Sequence, residues 1–137
     1  MSDTHIQAIQ QLGRTYRAMM AAFEANIGMT MSRWRILLYL HQHGEASQKR
    51  LACELGVDPA ALTRQIKAIE QEGWIERHSD PADNRLTNVA LTASGDSIVQ
   101  DALPRRSVFI EGMFADLGAE QTHALTELLR ALEQRIR

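Results

Sequence analysis

Three cations in this chain stand where a nucleic acid could use them. Arg64 and Lys67 lie in DPAALTRQIKAIEQEGW, a segment whose apolar residues fall at Leu62, Ile66 and Ile69. Arg85 lies in DPADNRLTNVALTASG, among acidic and turn-forming residues that give way to alternating apolar and polar positions. A guanidinium can fork two N–H groups onto a guanine edge or a phosphate, and an ammonium holds a phosphate as a point charge. The chemistry on offer is binding rather than bond-making. The sequence has no Gly-rich phosphate loop, no nucleophile elbow, no His-Glu-x-x-His and no compact carboxylate pair. We therefore assign no catalytic residue and do not expect an enzyme.

The remaining reactive side chains carry less. The single cysteine, Cys53, excludes an intrachain disulfide. Within RLACELG it is expected to face the interior as an inert thiol, with redox sensing as the alternative use. His41 and His43 are two apart, not at the i, i+4 spacing of a helix-borne metal pair, so neither metal nor cofactor is expected.

These cations need elements to position them. At 137 residues with 45% apolar content, the chain suits one folded domain with additional helices. No apolar run approaches a membrane span, and MSDTHIQAIQ lacks the basic start of a secretory signal, so a cytoplasmic protein is expected. Residues 4–27 place Ile9, Gly13, Tyr16, Met20, Phe23 and Ile27 at alternating steps of four and three, a helix-packing seam. Gly13 in that seam suggests a close backbone approach. A second helix starts at Thr30 or Ser32 and buries Trp34, Leu37, Leu38 and Leu40 before Gly44.

Ser47 caps a short third helix that ends at Gly56. Asp58 caps a fourth, with Pro59 in its first position, where a missing N–H does no harm. Two short strands, Trp74-Ile75 and Leu86 to Leu91, flank the polar turn around Arg85. From Thr92 the chain reads as helical, kinked or divided at Pro104, with a last helix burying Leu125, Leu128, Leu129, Leu132 and Ile136.

Helix, helix, short helix, tight turn, helix and hairpin describe a mainly α winged helix-turn-helix. The turn LGVDPAAL sets two helices at a large angle and projects the second toward a major groove. Its exposed face holds Ala60, Thr63, Arg64 and Lys67. A net charge of −2 opposes a nucleic-acid partner unless charge is segregated. From Ser47 to Thr92 there are six basic and seven acidic residues, so affinity must come from local field. A winged-helix protein-interaction adaptor is the alternative.

The stretches MSRWRILLYL, SQKRLACELGVDPAALTRQIKAIEQEGWIERH and DPADNRLTNVALTASG, in this order, resemble the MarR-type transcriptional regulators over nearly the whole chain. The resemblance implies a homodimer reading a pseudo-palindromic operator in double-stranded DNA, and repression relieved by a small phenolic or aromatic carboxylate. It divides the chain into an N-terminal dimerisation helix (1–29), a winged lobe (30–92) and C-terminal dimerisation helices (93–137). Arg85 is then expected in the minor groove, with Asp83 either hydrogen-bonding within the turn or orienting an arginine, Arg77 or Arg85. Ser47 and Gln48 are expected at a backbone phosphate. The wing departs from many relatives in carrying few arginines, which leaves Arg85 nearly alone.

The terminal helices carry more apolar surface than one small lobe can cover, including Val99, Leu103, Phe109, Ile110, Met113, Phe114 and Leu117, and pairing of two copies is the expected remedy. The family resemblance also implies an effector pocket between the dimer helices and the lobe. Its candidate residues are Arg14, Arg17, Met29, Ser32, Arg33, Trp34 and His41, since arginines beside an aromatic-lined cleft suit an aromatic carboxylate.

Overall fold

The computed structural model describes residues 2–137. Helix α1 (Asp3–Ile27) is capped by Ser2, whose hydroxyl accepts from the Thr4 N–H, and stops at Gly28, where φ is 78°. Thr30, rather than Ser32, caps α2 (Met31–His43): its hydroxyl accepts from the Arg33 N–H at 3.3 Å. Helix α2 buries Trp34, Leu37 and Leu40 as expected and Ile36 and Tyr39 besides, while Leu38 is half-buried against the core.

A two-residue strand, β1 (Ala46–Ser47), leads into α3 (Gln48–Leu55) and then α4 (Pro59–Gln71). Ser47 and Asp58 cap these two helices as the sequence predicts, accepting from the N–H groups of Arg50 and Ala61. Arg35 donates from Nη2 to the Leu55 carbonyl at 2.7 Å, so a cation on α2 meets the negative end of α3 just before the turn. Leu62, Ile66 and Ile69 face inward and are at most 1% exposed, which leaves the opposite face of α4 to solvent.

The wing pairs β2 (Ile75–Ser79) with β3 (Thr87–Leu91) antiparallel, from Ile75 opposite Leu91 to Ser79 opposite Thr87. Strand β1 adds on the other side of β3, giving the order β1-β3-β2. The first wing strand therefore begins one residue after Trp74 and extends further than expected. Glu76, Arg77 and His78 carry no apolar alternation, and the backbone ladder to β3 is what makes them a strand. The core beneath α4 joins Leu37, Leu51, Ile75, Val89 and Val99, all 2% exposed or less.

Helix α5 (Ala93–Met113) starts at the Thr92 cap and runs unbroken through Pro104, correcting the expected division. Next to the proline, Arg105 donates to the Asp101 carbonyl within α5 at 3.2 Å and to the Asn26 carbonyl of α1 at 3.4 Å. Val99 belongs to the lobe core rather than to surplus surface, and Leu103 is half-buried against it. Within the single chain, a Cβ added at Gly13 would meet the Arg17 guanidinium, at 3.2 Å. Helix α6 (Ala119–Ile136) contains no buried residue. Leu125, Leu128, Leu129, Leu132 and Ile136, expected to be buried, are 40–85% exposed in the single chain because α6 extends away from the lobe.

Candidate nucleic-acid interface

The candidate face is built on α4. Its buried stripe fixes the helix against the core, and on the other side Ala60, Arg64 and Lys67 are exposed with Thr63 half-exposed. Thr63 donates its hydroxyl proton to the Pro59 carbonyl at 3.0 Å and accepts from Gln48 Nε2 at 3.3 Å. Gln48 is the first residue of α3, so this bond ties the two helices of the helix-turn-helix together. Ser47, at the cap, is half-buried. No sequence pattern announces the Gln48–Thr63 link, because side chains fifteen residues apart meet only once the turn is folded.

The wing is held by carboxylates. Asp80 Oδ1 accepts from the N–H groups of Ala82 and Asp83, and Oδ2 accepts from Asn88 Nδ2 at 2.9 Å. Those bonds, with Asn88 the largest influence, hold the Asp80 carboxyl below its ordinary value of 3.8. At the tip, Asp83 accepts from the Arg85 N–H and Nε at 3.0 Å through Oδ1, and from Nη2 at 3.1 Å through Oδ2. Its carboxyl is likewise lowered, first by the Arg85 side chain, and the Arg85 guanidinium is raised in return. Of the two arginines considered for Asp83, the partner is Arg85. The side chain of Arg85 is 90% exposed, so the pair orients the guanidinium without covering it.

Arg77 is engaged elsewhere. It forks onto Glu70 with Nη2–Oε1 at 2.9 Å, joining β2 to the end of α4 and lowering the Glu70 carboxyl, chiefly through this hydrogen bond. The wing and the reading helix are thus braced to each other. His78 also pairs with Glu45, tying β2 to the segment before β1. With Arg77 neutralised, Arg85 is the exposed arginine of the hairpin, in line with its expected isolation.

The seven residues proposed for an effector are dispersed. Trp34 is 2% exposed and belongs to the core, with the Arg106 guanidinium 6.0 Å from its ring centroid. Arg33 lies 5.6 Å from the Trp74 ring, Met29 packs against the core, and Ser32 is exposed. His41 pairs through Nδ1 with Asp96 of α5 at 2.9 Å. Arg17 curls back toward Gly13, while Arg14 lines a cleft of about 440 Å³ between α1 and α5, together with Met19, Phe109 and Met113. Asp96, Arg106, Trp74 and Phe109 were not singled out for such a site, and no local sequence pattern pairs them across helices.

Cys53 corrects a further expectation: it is exposed. Leu51 and Leu55, four apart, define the inner face of α3, and a residue two steps from Leu51 points the other way. Among the described residues, no three metal-ligating side chains converge, and no helix is long and apolar enough to cross a membrane.

A short helix, a tight turn, an exposed cationic helix and a three-stranded wing define a winged helix-turn-helix protein. The MarR family model matches residues 29–87, the lobe and most of the wing. An HTH-type transcriptional regulator of Bacillus subtilis, YdgJ, is 31% identical over 130 residues, covering 95% of this chain and 79% of the relative. The transcriptional repressor MprA of Escherichia coli is 26% identical over 110 residues, covering 80% of this chain and 62% of its own length. Among solved structures, Bordetella bronchiseptica BpsR, whose DNA binding is regulated by 6-hydroxynicotinic acid, superposes with a TM-score of 0.78 at 25% identity, covering 93% of this chain and 98% of BpsR. A MarR mutant of Escherichia coli complexed with operator DNA superposes with a TM-score of 0.84 at 21% identity, covering 95% and 96% of the two chains, and shares the fold. The chain belongs to the MarR family of transcriptional regulators. Its matched relatives are regulators rather than enzymes.

Proposed function

We propose that the chain is a homodimeric, ligand-released repressor acting on a pseudo-palindromic operator. In this reading α4 enters the major groove, with Arg64 forked onto a guanine edge and Lys67 on phosphate, while Arg85 enters the adjacent minor groove. Ser47 and Gln48, at the start of α3, meet the backbone. Helices α1, α5 and α6, residues 1–29 and 93–137, form the pairing scaffold around a lobe spanning 30–92. The observation that carries the reading is the face of α4. Two unpaired cations, Arg64 and Lys67, project opposite a fully buried stripe, beside a wing whose one exposed guanidinium is held ready by Asp83.

Binding of the purified protein to duplexes selected from a random pool tests the reading. Affinity is expected to fall by roughly two orders of magnitude or more between about 50 mM and 200 mM salt, since several phosphate contacts release counterions. A protein-interaction adaptor would select no duplex and would be nearly indifferent to salt.

The effector is placed in the α1–α5 cleft, where Arg14 is the single charged lining residue above an apolar floor of Met19, Phe109 and Met113. A carboxylate on an aromatic ring suits that combination, and the acid that regulates BpsR is of this class. Release follows if the occupied cleft changes the separation of the two lobes. Titrating operator complexes with substituted benzoic and nicotinic acids should dissociate them, and Arg14→Ala should abolish the response while leaving DNA affinity intact. Equal responses of wild type and variant would remove the effector from this cleft.

A further inference from the structure

We propose that Thr63 selects thymine through its methyl group, because its hydroxyl is already committed within the protein. The proposal rests on the DNA-binding reading above. A threonine hydroxyl has one proton and two lone pairs. The proton of Thr63 goes to the Pro59 carbonyl at 3.0 Å, one turn back along α4, and one lone pair accepts from Gln48 Nε2 at 3.3 Å. Thr63 therefore has no donor to offer.

Most of what the major groove presents is read by donors. Guanine shows two acceptors, adenine N7 is an acceptor, and thymine O4 is another. None of these can be addressed by a hydroxyl whose proton is turned back onto its own helix. What remains at the Thr63 Cβ is one lone pair, which can accept only from adenine N6 or cytosine N4, and the methyl Cγ2; the methyl of Ala60 lies three residues away, on the same helix face. These two methyl groups, one turn ahead of the cations Arg64 and Lys67 on α4, form a small apolar spot, and the group in the groove that fits such a spot is the C5-methyl of thymine. Gln48 becomes a positioning residue. By occupying the hydroxyl from α3, it fixes the Thr63 rotamer and thus where the methyl sits relative to the guanine read by Arg64.

Uracil differs from thymine in lacking that methyl, which makes the test direct. An operator selected by the full chain is remade with each thymine replaced in turn by uracil, and binding is followed by fluorescence anisotropy. One symmetry-related pair of positions is expected to lose roughly fourfold per methyl removed. Thr63→Ser keeps the hydroxyl and lacks the methyl, so it should bind the thymine and uracil operators alike. Thr63→Val keeps a methyl and lacks the hydroxyl, so it should retain the preference for thymine. The proposal is overturned if no single uracil weakens the wild type, or if the preference survives in Thr63→Ser and vanishes in Thr63→Val. Failure to enrich any duplex would instead remove the DNA-binding reading itself, a result distinct from tight but methyl-blind binding.

Discussion

Arg64 and Arg85 are both exposed, but their local electrostatics differ and so should the effect of removing them. Among the described residues Arg64 makes no ion pair, whereas Arg85 is held by Asp83 through Nε and Nη2. Truncating Arg64 removes a fork onto a base, so Arg64→Ala is expected to cost about 1–3 kcal/mol on the selected operator and much less on random DNA. Arg85→Ala should weaken binding with the loss concentrated at A·T-rich flanks, where a narrow minor groove attracts a cation. Competition assays with flank-swapped operators read both, and equal affinity of wild type and Arg85→Ala would move the wing off the DNA. Gly95 is a residue of another kind. A Cβ there would lie 2.0 Å from the Trp74 carbonyl and 3.1 Å from Leu91 Cδ2, so backbone has to move before any side chain fits. We expect Gly95→Ala to lower stability by about 3 kcal/mol in urea unfolding, with a change near zero sinking the argument. The sequence showed Gly95 only as part of a Leu-Thr-x-x-Gly pattern; the reason for it is a contact with a residue twenty-one positions earlier.

At the scale of elements, the wing and the helices are stabilised differently. Leu62, Ile66 and Ile69 hold α4 through burial, which periodicity alone made legible, as did the caps at Ser47, Asp58 and Thr92. Strand β1 and the outer half of β2 were not legible, because two residues of pairing and a run such as Glu76-Arg77-His78 leave no pattern. Pro104 does not divide α5, and the bond from Arg105 across to α1 beside it is one that no local rule contains. The wing tip depends on Asp80 and Asp83, whose folded values lie below the ordinary 3.8. Their stabilisation is therefore fully present above that value and is lost as pH falls through the lowered ones. The Glu70–Arg77 brace has the same sign relative to 4.5. Amide exchange protection at Ala82, Asp83 and Arg85 should drop on acidification below about pH 4 while Leu51 and Val89 remain protected. Simultaneous loss at both places would show that the wing has no separate acid-labile hold.

For the whole molecule, the decisive feature is how little of α6 touches its own lobe. Leu128, Leu132 and Ile136 are 65%, 58% and 85% exposed, and on α1 Ile9 and Tyr16 are 66% and 58% exposed. A chain that held these stripes in water would carry far more contiguous apolar surface than a monomer tolerates. A second copy would offer the same stripes in return, and a two-fold arrangement would place two α4 helices on one side of a duplex, about 34 Å apart. The helix seam in residues 4–27 pointed toward pairing, but which apolar residues of α5 serve the lobe was not legible: Val99 looks like Leu103 in sequence and yet closes the lobe core. Because Leu128 and Leu132 are exposed in the single chain, Leu128→Glu with Leu132→Glu leaves the lobe intact and adds charge only where the copies would meet. Sedimentation velocity should show the wild type as a dimer and the variant as a monomer with an unchanged lobe by circular dichroism. Losing one of two reading heads removes the second half-site, so operator affinity should fall by at least about a hundredfold, while affinity for an isolated half-site should stay the same. A variant that remains dimeric, or a monomer that binds the full operator as tightly as the wild type, would break the link between pairing and recognition.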